Sequence, residues 1–81
     1  MTQNEVMVVL QARLGDILLA KGLPPVAMSP ETDLLGGTIP IDSLDLAQLV
    51  LELQSHTKKD PFANGFVGFE TVGQLTQLFA N

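Results

Sequence analysis

The chain has 81 residues, 46% of them apolar, and a formal net charge of −5. This length predicts one small domain over residues 1–81, which buries only about 60% of the surface of its unfolded chain and leaves little room for an enclosed active site. The sequence has no cysteine and a single histidine, which excludes disulfides, thiolate metal sites and cysteine nucleophiles. It shows no secretory signal pattern and no apolar run of about 18 residues, so we expect a monomeric cytoplasmic protein that does not enter a membrane.

The acidic residues cluster in the middle of the chain. Residues 22–57 hold five of the nine acidic residues and no lysine or arginine. This segment should repel nucleic acid and anionic membrane surfaces and attract basic protein surfaces. The alternative is that the charge only maintains solubility, since net charge governs association rather than fold. The five residues are Glu31, Asp33, Asp42, Asp45 and Glu52.

Thr2 and Glu5 predict the start of the first helix. A threonine followed three residues later by a glutamate is a capping box. Lys21 suits the negative end of the helix dipole, and Gly22 predicts where the helix ends. Between these signals the apolar positions recur at helical spacing and form one stripe of Val6, Val9, Leu10, Leu14, Ile17 and Leu18.

Residues 23–41 form a long connection. Ser29-Pro30-Glu31 predicts a short turn with proline at its first position. We expect Leu34 and Leu35 to pin the connection to the core, and Gly36-Gly37 to permit a backbone turn that other residues resist. Loops of this length are unusual in compact domains and are often functional.

Asp42 and Asp45 predict the start of the second helix. Asp42 is the N-cap, Asp45 lies three residues later, and both carboxylates suit the positive end of the helix dipole. The pattern stays helical over residues 43–56, and Lys58-Lys59 suits its C-terminal end. The inward stripe consists of Leu46, Leu49, Val50 and Leu53.

The last third of the chain predicts two further helices. Asp60-Pro61-Phe62 is typical of the start of a one-turn helix, which Asn64-Gly65 would end. Thr71 and Gln74 form another capping box, followed by an apolar face of Val72, Leu75, Leu78 and Phe79. No strand-like alternation of useful length occurs. The predicted fold is therefore all-α, a small four-helix bundle of three main helices plus one short helix.

Ser43 follows directly after the N-cap of the second helix. We expect its hydroxyl near solvent, beside unpaired backbone N–H groups that favour a phosphate. The alternative is that Asp42-Ser43-Leu44-Asp45 is ordinary capping chemistry with no further role. A Ser43–His56 dyad is excluded, because thirteen residues of helix separate the two by roughly 20 Å. We therefore do not expect an enzyme.

Four segments together resemble the acyl carrier protein family. They are Thr32-Asp33-Leu34-Leu35, Ile41-Asp42-Ser43-Leu44-Asp45-Leu46, residues 49–53, and Phe69-Glu70-Thr71-Val72-Gly73-Gln74-Leu75. The resemblance implies a four-helix carrier bundle whose Ser43, flanked by Asp42 and Leu44, carries covalent 4′-phosphopantetheine. A phosphopantetheinyl transferase would install this group from coenzyme A with Mg²⁺, and its thiol would hold an acyl cargo as a thioester. A chain without cysteine then acquires its thiol from the cofactor.

The sequence also departs from the pattern of carriers of fatty acid biosynthesis. The exposed face of the second helix is neutral at Gln48, Gln54 and Ser55, where those carriers have several glutamates. These departures point to a dedicated pathway, with an acyl-loading ligase and a downstream transferase or synthase as partners. An aminoacyl or peptidyl carrier with a corresponding ligase, and an unmodified carrier-like adaptor, are the alternatives.

We predict that partners bind the start and exposed face of the second helix. Leu44 and Leu51 fall outside its inward stripe at about 100° per residue, and exposed leucines beside Ser43 would form an apolar contact patch. Asp45 and Gln48 complete this predicted surface. The phenylalanines at 62, 66, 69 and 79 are expected in the core, with a cleft for the cargo beside Ile41, Leu46 and Val50 as the alternative.

Overall fold

Three α-helices make up the framework of the protein in a computed structural model that describes residues 1–37, 39–63, 65 and 68–80. They are α1 (Gln3–Ala20), α2 (Ser43–Thr57) and α3 (Val72–Phe79). The described residues contain no strand, only one isolated antiparallel bridge between Asp33 and Thr71. The radius of gyration is 11.8 Å, close to the value of about 12 Å expected for a folded domain of this length. The predicted all-α class is confirmed.

The predicted helix ends are also confirmed. The Thr2 backbone N–H donates to Glu5 Oε1 at 2.8 Å, and the Glu5 N–H donates to Thr2 Oγ1 at 3.2 Å, which completes the capping box. Residues 71 and 74 form the same reciprocal pair at the start of α3. At the end of α1, Gly22 takes a positive φ of 73° that favours glycine. The helix ends there as predicted.

The core lies between the inward faces of the three helices. α1 packs against both α2 and α3, so it forms the centre of the bundle. Val9, Ile17, Val50 and Leu78 are only half-buried at the margins of the predicted stripes. The buried residues of the helices are Val6, Leu10, Leu14 and Leu18 of α1, Leu46, Leu49 and Leu53 of α2, and Val72, Leu75, Thr76 and Phe79 of α3.

The long connection between α1 and α2 is anchored at two places. The Gln11 side chain accepts from the Met28 N–H at 3.0 Å and donates to the Val26 carbonyl at 2.6 Å. Further along, the Gly73 N–H donates to the Pro30 carbonyl at 2.8 Å. A side chain at Gly73 would clash with that carbonyl, because a Cβ atom there would lie 2.8 Å from its oxygen. These contacts fix the course of the chain that leads to Ser43.

One prediction for this connection is wrong. Leu34 is buried as expected, but Leu35 is exposed, and Ile39 takes the second buried position. The Leu34 N–H donates to the Glu70 carbonyl at 3.0 Å, so the bridge beside Thr71 turns Leu34 inward and leaves its neighbour outside. Gly37 adopts a φ of 91°, which confirms the predicted turn, while Thr38 lies outside the described residues.

A hydrogen-bonded turn occupies the place of the predicted short helix. The Ala63 N–H donates to the Asp60 carbonyl at 3.2 Å, and the Phe62 N–H donates to Asp60 Oδ1 at 3.2 Å. Asp60 therefore caps this segment as predicted, but the described part of it, residues 60–63 and 65, is a turn rather than a helix. Asn64, Phe66 and Val67 lie outside the described residues.

The adjacent residues Leu18 and Leu19 provide a test of this core. Leu18 is fully buried and Leu19 is 76% exposed on the same helix. Leu18→Ala should lower the free energy of unfolding by about 2–5 kcal/mol, because it removes buried methyl groups and leaves a cavity. Leu19→Ala should change it by no more than about 0.5 kcal/mol. Urea titration of both variants measures the difference, and equal losses would contradict the assigned core.

Candidate functional site

The first turn of α2 is closed by reciprocal hydrogen bonds between Asp42 and Asp45. The Asp45 N–H donates to Asp42 Oδ1 at 2.9 Å, and the Asp42 N–H donates to Asp45 Oδ2 at 3.2 Å. Asp42 itself has extended backbone angles, as an N-cap requires. This confirms Asp42 as the N-cap that the sequence predicts. The two aspartates thereby fix the conformation of the backbone on either side of Ser43.

Ser43 occupies the first helical position and is exposed. Among the described residues, no group forms a hydrogen bond with its hydroxyl. The first N–H groups of any α-helix lack intrahelical partners, so those of Ser43 and Leu44 remain available to an oxyanion. The hydroxyl and these donors fit a phosphodiester attached at Ser43, which would lie at the positive end of the α2 dipole.

Lys21, at the end of α1, forms an ion pair with Asp45 in the first turn of α2. Lys21 Nζ contacts Asp45 Oδ2, the same oxygen that accepts the Asp42 N–H. The hydrogen bond from Lys21 is the main reason that the pKa of Asp45 lies below its ordinary value, and the same bond raises the pKa of Lys21. Only 15% of the Asp45 side chain is exposed. Its charge is therefore largely neutralised within the protein.

An apolar groove of about 420 Å³ begins at Ser43. Phe62 and Phe69 lie 5.9 Å apart between ring centroids, and Phe62 also packs edge-on against the buried Phe79 at 6.3 Å. These contacts connect the aromatic side of the groove to the core. The groove therefore offers an apolar surface directly beside the hydroxyl, lined by Ser43, Leu46, Ala47, Val50, Leu51, Phe62 and Phe69.

The predicted partner surface divides into exposed and internally paired residues. Leu44 is 77% exposed, Leu51 is 64% exposed, and Gln48 is also exposed. One helical turn separates Leu44 from Gln48, and a second leads to Leu51, so the three form a ridge along α2. Asp45 differs from them, because its carboxylate already binds Lys21 and the Asp42 N–H. The exposed part of the predicted partner surface is thus more apolar than the sequence indicates, because the carboxylate of Asp45 is paired internally.

A second groove lies on the other side of this ridge. It has a volume of about 270 Å³ between α1 and α2 and contains both signs of charge. Arg13 and Asp16 form an exposed ion pair of 3.4 Å within it. The ridge therefore separates an apolar groove from a charged one, the latter lined by Arg13, Asp16, Ile17, Ala20, Lys21, Asp45, Gln48 and Glu52.

His56 lies on the same continuous helix as Ser43, at the far end of α2. At about 1.5 Å rise per residue, roughly 20 Å of helix axis separates them, well beyond hydrogen-bond reach. The described residues contain no group of three or more acidic, histidine or cysteine side chains that could hold a metal ion. Within the same residues, no helix combines the length and apolarity that crossing a bilayer requires.

One feature of the site is not predicted from the sequence. Lys21 reads only as a favourable charge at the end of α1, although its side chain reaches Asp45 in α2. Phe62 and Phe69 are half-buried against the core, as expected, and they also line the groove beside Ser43, as the alternative of a cleft allows. The one signal in the sequence is the position of Lys21 at the end of α1. In a bundle of short helices, the end of one helix can lie close to the start of another. The phenylalanine positions follow from tertiary packing alone.

No family model matches this chain, and no match was found among curated proteins or solved structures. Two observations therefore support a functional role for Ser43. They are the geometry of its helical turn and the resemblance in residues 32–35, 41–46, 49–53 and 69–75.

The Lys21–Asp45 pair predicts a pH-dependent contribution to stability. A carboxylate whose pKa is lowered by folding stabilises the protein above its ordinary pKa of 3.8, and that contribution is lost as pH falls through the lowered value. Asp45→Asn should therefore reduce the melting temperature at pH 7, and the deficit should narrow once the pH falls below 3.8. Thermal unfolding followed by circular dichroism across this range measures it.

Asp16→Asn is the matched control for this change, because it removes the same charge from an exposed pair. Exposed ion pairs contribute little, so its melting temperature should stay close to that of the wild type at every pH. A deficit of Asp45→Asn that persists unchanged at low pH would show that the effect does not come from the ionised carboxylate.

Proposed function

We propose that this protein is a carrier of the acyl carrier type, which binds an acyl cargo through 4′-phosphopantetheine attached to Ser43. The observation that carries the proposal is the exposed Ser43 hydroxyl, without an internal hydrogen-bond partner among the described residues, at the start of a capped helix. The all-α class and the three helices are compatible with the carrier architecture that the resemblance implies, and the described residues form a turn where that architecture has its short helix. When bound, the cofactor supplies the thiol that the sequence lacks.

The modification requires a partner enzyme and coenzyme A. The Ser43 hydroxyl loses its proton to the transferase, and its oxygen bonds to the phosphorus that bears the pantetheine arm. The bond from that phosphorus to the adenosine 3′,5′-bisphosphate leaving group breaks. The chain contributes an accessible hydroxyl and a rigid first turn with Asp42 and Leu44 on either side, while the transferase contributes Mg²⁺ and the base. Ser43 is thus a modified residue and not a catalytic one.

The apolar groove favours an organic acyl cargo over an aminoacyl or peptidyl cargo. Its walls are aliphatic and aromatic from Leu46 to Phe69, and burying a charged or peptide group there without hydrogen bonds would be unfavourable. Burying an acyl chain instead stabilises the loaded form by about 25 cal/mol per Å² of apolar surface removed from water. The neutral helix face with Gln48 fits a dedicated pathway rather than primary fatty acid synthesis.

Partner enzymes are proposed to bind the ridge of Leu44, Gln48 and Leu51. Two well-exposed leucines beside the modified residue suit an apolar contact. The acyl-loading ligase and the downstream transferase or synthase would each have to reach Ser43, so a surface next to it can serve all of them in turn. The protein acts as a substrate of these enzymes and has no turnover of its own.

Incubation with coenzyme A, Mg²⁺ and a transferase of broad specificity tests the modification. The intact mass should rise by one phosphopantetheine, and fragmentation should locate it on Ser43. Ser43→Ala should abolish the adduct and leave the melting temperature almost unchanged, because Asp42 retains the cap. Ser55→Ala, at an exposed serine further along α2, should be modified like the wild type. An unmodified wild-type chain, or a large loss of stability in Ser43→Ala, would refute the proposal.

Leu51→Glu tests the contact ridge. A charge at this exposed apolar position should raise the KM of the transferase for the protein by about tenfold, while the protein stays folded. Leu19→Glu makes the same change at a leucine of α1 that is also well exposed and should leave KM unaffected. If both variants raise KM equally, the transferase does not bind specifically at the ridge. If Leu51→Glu abolishes pathway output while Ser43→Ala does not, the unmodified adaptor is the better assignment.

A further inference from the structure

Lys21 connects the end of α1 to the first turn of α2. Its ammonium group binds Asp45 Oδ2, and the same carboxylate oxygen accepts the Asp42 N–H at 3.2 Å. Asp42 directly precedes Ser43, so a single side chain from another helix supports the backbone on the N-terminal side of the hydroxyl. Residues 43 and 45 lie about 200° apart around the helix, which leaves Ser43 facing away from this contact.

The backbone of Lys21 is fixed by hydrogen bonds at the end of α1. Lys21 is the C-cap of α1, and its N–H donates to the carbonyls of Ile17 and Leu18. The chain then turns through Gly22, and the Leu23 N–H closes the helix end by donating to the Leu18 carbonyl at 2.8 Å. The ammonium group therefore comes from a fixed helix end, and the ion pair holds the start of α2 against the buried part of the bundle.

We propose that Lys21 is a positioning residue for the modification of Ser43. This inference rests on the proposed function and adds a residue that does not itself contact coenzyme A. By binding Asp45, Lys21 ties the first turn of α2 to the end of α1, which restricts the directions from which the Ser43 oxygen can approach phosphorus. Without Lys21 the capping box remains, but the first turn loses its contact with the end of α1, and the oxygen is correctly oriented for a smaller fraction of encounters.

This role predicts a specific kinetic pattern. The proposed contact ridge runs from Leu44 in the first turn to Leu51 and does not include Lys21, so the KM for the protein should change little. The chemical step depends on the orientation of the Ser43 oxygen, so kcat should fall. A direct contact between Lys21 and the transferase would produce the opposite pattern, with a raised KM and an unchanged kcat.

Steady-state kinetics with coenzyme A, Mg²⁺ and a broad transferase test the inference. Lys21→Met should lower kcat by about fivefold or more and change KM by less than about twofold. Lys21→Arg keeps the charge and should restore kcat to within about twofold of the wild type. Lys58→Met, which removes the same charge at the C-cap of α2, should behave like the wild type. Lys21→Met combined with Asp45→Asn should be no slower than Asp45→Asn alone, because Lys21 acts through Asp45.

Several results would overturn the inference. They are an unchanged kcat in Lys21→Met, a rise in KM alone, or additive losses in the double variant. A wild-type chain that accepts no phosphopantetheine refutes the proposed function instead, and hydrogen exchange at the Asp42 amide then decides the role of Lys21 in the turn. Faster exchange in Lys21→Met than in Lys58→Met supports the tie between the helices, and equal exchange rates contradict it.

Discussion

The capping box between Asp42 and Asp45 is the constraint on which the site depends. It sets the conformation of the two peptide groups beside Ser43 and fixes where α2 begins. Reciprocal capping satisfies donors that would otherwise be unpaired, and it leaves the N–H groups of Ser43 and Leu44 available. Lys21 adds a contact from another helix to this local motif. The hydroxyl is thus held by its neighbours and engaged by none of the described residues.

The rest of the domain fits a protein that presents a group to other enzymes. The described residues form one small core, with an apolar groove and a charged groove on opposite sides of the α2 ridge. The apolar groove starts at Ser43 and would suit the proposed cargo, and in the charged groove Lys21 pairs with Asp45. The cofactor would bring the reactive thiol, and partner enzymes would bring the catalytic groups. No catalytic apparatus is therefore required of the chain itself.

Local chemistry made most of the fold predictable from sequence. A capping box involves residues three apart, so the starts of all three helices follow from short motifs such as Thr2 with Glu5. Features that depend on distant contacts were not predictable. Leu35 is exposed because the bridge at Thr71 sets the register of the connection, and the Lys21–Asp45 pair forms only once α1 and α2 pack. The prediction of a one-turn helix after Asp60 was wrong for a related reason. The hydrogen bonds that Asp60 accepts also form in a simple turn, so the capping signal does not distinguish a turn from a helix.

The most direct measurement is the mass of the protein isolated from its own cells, followed by fragmentation. We expect phosphopantetheine on Ser43, with an organic acyl group on the thiol of a fraction of the molecules. An aminoacyl group on the thiol would support the carrier function and identify a different cargo. A native population in which Ser43 carries no phosphopantetheine, under conditions where the protein is needed, would refute the proposed function.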